Sequence, residues 1–416
     1  MPLPQPAGTT DGRARREHER WLLEVTSLPT AAGREDAVVA WIDRWVAARR
    51  HLRMRRDRAG NLLITRVRQR RPTAAGRALA PLFITAHLDH PAFVVVGVRR
   101  GEVVLEFRGG VHDPYFEDAR LEIRDRSGAV HHAGIMSLDS TAQPFKRVIA
   151  QVAGATNGIA AGDLARWRFD GTDVPRVAGG TLHTHACDDL AGVVAALATM
   201  DALGDRREAG HVGLLFTRAE EVGFVGAIAA CRAKSVSIRA RLICLEASRS
   251  FAESPIGAGP IVRIGDKTSV FDRDLTNAVS GLMTEHERTH PGFRWQRKLM
   301  PGGTCEATTF GAFGYRSTCL CLPLGNYHNM VDIDGVVAGR RPALVGPEFI
   351  NLADFHGLVE MLVVCAMRLD TGVPSLRARM EGFMSAYGHV LQPTAPPRPT
   401  RRTRERGPRR AGGRRS

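Results

Sequence analysis

Adjacent glutamates, Glu220 and Glu221, lie in the stretch TRAEEVGFVGA (217–227), between the apolar run HVGLLFT (211–217) and a Gly-containing segment that reads as the start of a helix. A strand-to-helix junction is where an α/β protein commonly gathers its reactive groups. Other junctions of this kind carry imidazoles and carboxylates. ITAHLDH supplies His87 and Asp89, THACDDLAG supplies Asp188 and Asp189, LICLEAS supplies Glu246, and LPLGNYHNM supplies His328. Each follows apolar residues or begins a helix, so all can lie along one edge of one sheet. Imidazoles and carboxylates without thiolates suit Zn²⁺, Co²⁺ or Mn²⁺, and a carboxylate can bridge two ions. A two-metal hydrolytic centre needs a shared carboxylate, a His and a carboxylate for each metal, and one spare carboxylate as base.

The elements that must position these groups follow from periodicity. His87 and Asp89 are two residues apart, so on an extended strand they share a face, which lets Asp89 orient the imidazole. Glu220 and Glu221 would point apart on a strand and can reach one site together only where the strand gives way to a turn. One can then bind metal while the other stays free. LAPLFITAHLDH (79–90) has the unbroken apolar character of a buried parallel strand. HVGLLFT and ARLICLEAS read as strands, alternating with helices in DDLAGVVAALATMDALG and GFVGAIAACRA. Residues 14–27 and 34–50 have helical spacing, 54–67 reads as a hairpin, and 348–369 reads as a closing amphipathic helix. Between Phe93 and Thr172 the pattern changes to short alternating runs (FVVVGV, EVVLEF, ARLEIRD, RVIAQVAG) separated by turns. The expected fold is a mixed-sheet α/β/α catalytic domain over 14–92 and 173–372, with a small β-barrel-like domain inserted at 93–172 and disordered tails at 1–13 and 393–416.

Composition narrows the class. The chain has 416 residues and a formal charge of +15, but Arg398 to Ser416 alone holds nine Arg and one Glu. That tail cannot bury enough apolar surface to fold, and its charge suits nonspecific contact with polyanions. The N-terminal residues lack the apolar core of a signal peptide, and no run approaches a membrane span. Seven scattered cysteines with no C-x-x-C point to reduced thiols and a cytoplasmic protein. Cys319 and Cys321 alternate as residues filling one face of a strand do. His183 and His185 read as an exposed β-face, and His131, His132, His286 and His290 as solvated loop residues.

The motifs DRAGNLLIT, AHLDH, CDDLAG, EEVGFVGA, PGGTCEATTFGAFG and YHNM, in that order, make the sequence resemble the glutamyl/deblocking dizinc aminopeptidases of the co-catalytic zinc peptidase clan. Members of that family form hollow tetrahedral particles. The resemblance spans about residues 18–372, and the β-rich insert falls where that family carries its extra domain. It implies that His87 and Glu246 hold one metal, that Glu221 and His328 hold the other, and that Asp188 bridges them. Glu220 would be the general base acting on a metal-bridging water, and Asp89 the partner of His87. A cis peptide at Asp188–Asp189, two divalent ions (zinc, with cobalt or manganese as alternatives), peptide substrates and a homo-oligomer such as a dodecamer are implied as well. Three positions depart from the family pattern: Glu246 where Asp is common, His90 where Glu usually follows HLD, and Leu190 where Arg is frequent. An amidase, deacylase or dipeptidase with the same centre is the rival within enzymes. A noncatalytic nucleic-acid-binding protein using its Arg-rich tail is the rival from another class, and the intact ligand set argues against it.

Overall fold

The computed structural model describes residues 12–67, 73–74, 77–370 and 376–391. The expected tail at 393–416 lies outside the described residues, as do residues 1–11, while Gly12 and Arg13 already open the first helix. The chain divides into two compact units, Met1–Val373 and Pro374–Ser416. In the second, the described residues form the helix Leu376–Tyr387 and a 3-10 turn at Gly388–Leu391.

The first unit is built on a mixed eight-stranded sheet. Its order is Leu52–Arg56, Leu62–Arg66, Val212–Thr217, Leu82–His87, Arg241–Arg249, Arg316–Leu324, Ile261–Gly265 and Gln296–Leu299. The four strands from Val212–Thr217 to Arg316–Leu324 run parallel, and their side chains are buried on both faces, which explains their unbroken apolar sequences. Helix Leu190–Leu203 is apolar all round and almost wholly buried on one face of the sheet, with the helices Gly12–Val25 and Leu352–Arg368 against it. Helices Val225–Ala233 and Glu306–Ala312 cover the other face. No helix among the described residues is long and apolar enough to cross a membrane.

Six strands between Ala92 and Trp167 close into a barrel, in the order Lys146–Val152, Glu102–Arg108, Ala92–Arg99, Leu164–Trp167, Arg120–Arg124 and Val130–Asp139. Strand Glu102–Arg108 buries every second residue, as its sequence alternation requires. The interior is aromatic. Phe93, Phe107, Phe116 and Trp167 meet edge-on, with centroids 4.7 Å apart for Phe93–Trp167 and 5.0 Å for Phe107–Phe116.

Several expectations need correction. The closing helix begins at Leu352, because the Asn351 side chain accepts from the Ala353 and Asp354 N–H groups and caps it there. Residues Glu348–Asn351 instead form a strand paired with Thr181–Thr184. His185 is buried and stacks on Phe169, and His183 is half-buried. His286 is buried in helix Arg273–Thr289, 2.6 Å from a Glu360 carboxylate oxygen, and His131 and His132 lie on a barrel strand. For His185 and His286 the burying groups, Phe169 and Glu360, lie outside the local sequence, whereas His131 meets the nearby Asp125 and His132 is exposed.

Candidate metal centre

The parallel register brings the reactive residues level. Thr217 pairs with His87, and Cys244 pairs with Thr85, so Glu246, two residues on, comes abreast of His87. Beyond Thr217 the chain turns. Ala219 takes a left-handed conformation (φ 53°), and the following helix starts so close that a Cβ at Gly226 would collide with the Arg218 backbone. The buried Glu35 holds this turn from behind, accepting from Arg218 Nε (2.7 Å) and the Ala219 N–H (3.1 Å). The turn lets Glu220 and Glu221 face the same site.

At the centre stands Asp188. Its Oδ1 is 3.5 Å from His87 Nε2 and its Oδ2 is 3.5 Å from His328 Nε2. Glu246 Oε2 and Glu220 Oε2 each lie 4.0 Å from His87 Nε2, and Glu221 Oε1 lies 3.3 Å from His328 Nε2. Two groups of possible ligand atoms therefore share Asp188: His87, Asp188 and Glu246, and Asp188, Glu221 and His328. His87, Glu220 and Glu221 form a third group. The peptide between Asp188 and Asp189 is cis.

Both imidazoles are oriented by backbone carbonyls. His87 Nδ1–H donates to the Asp89 main-chain oxygen (3.1 Å) and His328 Nδ1–H to that of Gly110 (2.7 Å), which turns both Nε2 lone pairs toward the carboxylates. The Asp89 carboxylate is 3.6 Å from the His87 ring. Its hydrogen bonds go elsewhere: Oδ1 accepts from the Glu220 N–H (2.9 Å) and Oδ2 from the Glu221 N–H (3.1 Å). Asp89 thus braces the glutamate turn, and the main chain orients His87.

Such a density of buried carboxylates is unfavourable without cationic compensation. Burial, then the charges of Glu221 and Asp89, pushes Glu220 well above the ordinary carboxylate range despite the opposing pull of His87. Burial and the charges of Glu220 and Asp188 do the same to Glu246. Burial alone would lower the two imidazoles, but the carboxylates around them outweigh it and hold both well above their usual value. Asp188 Oδ1, Glu221 Oε1 and Glu246 Oε1 are buried with no hydrogen-bond partner. Orphaned oxygens on the three carboxylates of the two ligand groups fit a pair of divalent cations.

Glu348 and Arg263 have no signal in the sequence, while Glu306 and the PGGT stretch fall within a quoted motif and His90 is one of the departures; all lie around the cluster. Glu306 is buried beside the cluster, with burial pushing it up to about 7. Glu348 is also buried and accepts from backbone N–H groups on both ligand loops. His90 Nδ1 is 2.7 Å from the Asp188 carbonyl and its Nε2 is 3.1 Å from Asn329 Oδ1, so it braces the Asp188 backbone. A cavity of about 390 Å³ opens against Glu246 and His328, and Gly302, Gly303 and Thr304 of the PGGT stretch line it. Arg263 stands in its wall, buried, donating to Ser248 Oγ (3.1 Å) and the Gly303 carbonyl (2.8 Å). Its guanidinium also reaches the Gly265 and Met300 carbonyls, both at 3.4 Å.

A mixed sheet whose parallel strands carry imidazoles and carboxylates toward one carboxyl edge, beside a closed barrel, presents the donor set that a two-metal hydrolytic centre requires. The comparisons agree. The model of the M42 glutamyl aminopeptidase family matches residues 149–340, which include Asp188, Glu220, Glu221, Glu246 and His328 but not His87 or Asp89. The fold is that of the TET1 peptidase of Pyrococcus horikoshii, which can assemble into a tetrahedron or a large octahedral shell (19% identity over 84% of this chain and 99% of that one, TM-score 0.65). It is shared with aminopeptidase APDkam598 of the archaeon Desulfurococcus kamchatkensis (19% identity, 86% and 99% covered, TM-score 0.64). An M18-family aminopeptidase of Thermotoga maritima is more distant (13% identity, 86% and 97% covered, TM-score 0.56). No curated protein matches the chain. The resemblance and fold class read from the motifs are borne out.

Proposed function

We propose that the chain is a metal-dependent aminopeptidase that removes N-terminal residues from peptides. The observation that carries this reading is the pair of ligand groups sharing Asp188, with Glu220 close by at 4.0 Å from His87. His87, Asp188 and Glu246 would hold one divalent ion, and Asp188, Glu221 and His328 the other; nitrogen and oxygen donors without thiolate suit zinc. Such a pair supplies Lewis acidity to the scissile carbonyl and brings the pKa of a water toward neutrality. Following the roles the resemblance implies, Glu221, 3.3 Å from His328, is the ligand, and Glu220, 4.0 Å from His87, is the base. Glu220 takes a proton at its carboxylate and returns it to the leaving amine.

The cavity beside Glu246 and His328 is placed to take the side chain of the N-terminal residue. Arg249 on its wall is paired with Asp334, whereas Arg263 is a buried cation bonded only to neutral groups. An acidic side chain could pair with this cation, whose charge Glu246 and the neighbouring thiols already favour, so the preferred substrates are peptides beginning with Glu or Asp, in keeping with the description of the matching family. Assembly into a homo-oligomer follows the TET1 relative, and Met136 and Val130 on the barrel are exposed apolar candidates for contact. The seven free thiols, all buried, suit the cytoplasm. Adsorption of polyanions is assigned to the Arg-rich tail.

The test is to measure bound metal and then the hydrolysis of glutamyl, aspartyl, leucyl, lysyl and N-acetylated chromogenic substrates. About two equivalents of divalent metal and release from free-amine substrates alone are expected. Cleavage of the acetylated compounds would shift the reading to a deacylase. Light scattering that finds a 45.3 kDa monomer would remove the assembly.

A further inference from the structure

Glu348 is a side chain through which the two ligand loops touch. It stands on the strand Glu348–Asn351, and the pairing of Thr184 with Glu348 sets it beside the segment that carries Asp188. Its Oε2 accepts from the backbone N–H groups of Cys187 (2.6 Å) and Asp188 (3.0 Å), and its Oε1 accepts from that of His328 (2.8 Å). The residue is fully buried. Between His328 and Glu348 the chain makes an excursion through a short helix, Ile333–Val337, before it returns. The neck of that excursion is closed by reciprocal backbone hydrogen bonds of Gly325 and Phe349 (3.0 and 3.2 Å). The Phe349 ring lies so close over Gly325 that a Cβ there would collide with it. The return strand is therefore held in one place, and with it the carboxylate.

We infer that Glu348 is a positioning residue: it fixes the distance between Asp188, the ligand shared by both metals, and His328, which ligates only one of them. The inference rests on the dimetal reading given above. Two carboxylate oxygens take three N–H donors from two loops, and only a group with two acceptor oxygens at this place can do so. In Glu348→Gln the shape is kept, but one oxygen becomes an amide NH₂ that donates. That group must face either the His328 N–H or the Cys187 and Asp188 pair, so one loop loses its anchor. Loss of a partner that orients metal ligands typically weakens metal affinity by about 10–100-fold.

Three measurements on the full-length chain test this. Co²⁺ titrated into the metal-free protein, followed by its visible absorption, should bind at one site about 10–100-fold more weakly in Glu348→Gln than in wild type, with an altered band. In the reconstituted variant kcat should fall by more than KM rises, because the metal ligands carry the change even though His328 also lines the cavity. Hydrogen exchange of the metal-free wild type should find peptides covering 185–190 and 325–330 protected, and protection of one of them should drop about 10–100-fold in the variant, as loss of a hydrogen bond to a charged group would produce. The exchange arm on the wild type stands even where the variant folds poorly. Fast exchange there overturns the inference. So does wild-type Co²⁺ affinity and spectrum in a folded Glu348→Gln, which would leave Glu348 a brace with no bearing on the metals. A wild type that takes up no Co²⁺ at all sinks the dimetal reading itself, and the inference with it.

Discussion

The barrel and the carboxyl edge of the main sheet are both made of strands with apolar interiors, yet they treat polarity in opposite ways. The barrel closes its own hydrogen-bond ladder and fills its middle with Phe93, Phe107, Phe116 and Trp167. The sheet edge gathers Glu220, Glu221 and Glu246, joined by Asp188 from beyond the separate strand Thr181–Thr184 and by Glu306 from the start of a helix, all but Glu221 among the buried residues, and three of the two ligand groups' oxygens lack a partner. A packed interior of aromatic rings is stable as it stands. A buried cluster of carboxylates is costly, and tolerable only where something else supplies the compensation. The cost marks the site. The two regions touch at the ligand loop: the Gly110 carbonyl at the barrel's rim fixes the ring of His328, Tyr115 Oη donates to the Val331 carbonyl, and Met330 packs into the barrel core.

The largest expected break comes from the shared ligand. Asp188→Ala should remove metal from both positions together and take activity down by more than the about 10²–10⁴ that loss of a general base alone costs. Metal content at wild-type stoichiometry would show that Asp188 is not shared. Next come the adjacent glutamates, which should fail differently. Glu220→Gln keeps size and hydrogen bonding but cannot accept a proton, so kcat should fall by about 10²–10⁴ with both metals retained and KM nearly constant. Glu221→Gln should instead release metal from one site, with partial recovery of activity in excess metal. The reverse pattern would exchange their roles.

The barrel offers the contrast. Trp167 is among the largest fully buried side chains and touches three of the barrel's phenylalanine rings. Trp167→Ala should cost about 3–5 kcal/mol of stability, read from denaturant unfolding, while metal content and kcat at low temperature stay near wild type. If the variant loses metal before it unfolds, the barrel supports the centre through more than its contacts at Gly110, Tyr115 and Met330, and the two regions are less separate than their cores imply.

Much of this division was legible in the sequence, for physical reasons that also explain the gaps. Buried parallel strands announce themselves as apolar runs, and the groups at their ends are visible as polar residues that follow such runs: His87, Glu220, Glu221, Glu246 and His328; Asp188 instead follows Thr181–Thr184, an antiparallel strand of a separate three-stranded sheet. The barrel was visible because two-residue alternation in EVVLEF requires a half-buried strand. Glu348 was not visible. It precedes FINLADFHGLVEMLVV, which reads as helix, and its partners lie 160 residues away at Asp188 and 20 away at His328. The two-residue rule places Asp89 beside His87, and its carboxylate stands 3.6 Å from that ring; that it also reaches the glutamate turn is not legible locally, because the strand stops at His87. His185 and His286 were read as exposed or solvated because nothing in their neighbourhood names Phe169 or Glu360.

The smallest expected effect concerns what the cavity between the regions reads. Its barrel side is Gly110, Val111 and His112, and its sheet side includes Ser248, Phe251 and Arg263. Arg263 is the sheet side's one buried cation, bonded to carbonyls and a hydroxyl, whereas Arg249 nearby is already paired with Asp334. Arg263→Gln keeps a donor for the Gly303 carbonyl and removes the charge. A charge-assisted hydrogen bond contributes about 1.5–3 kcal/mol, so kcat/KM for glutamyl and aspartyl substrates should drop about 10–100-fold. Leucyl substrates should change by no more than a few-fold, since the metal ligands and Glu220 are untouched. The ratio of the two separates a lost charge from a damaged pocket, because damage lowers both substrates alike. Thermal unfolding should be followed alongside, since one buried carbonyl is left without its donor. An unchanged glutamyl-to-leucyl ratio in a folded variant would mean that Arg263 holds the loop of Gly302 and Gly303 in place and reads nothing of the substrate's charge.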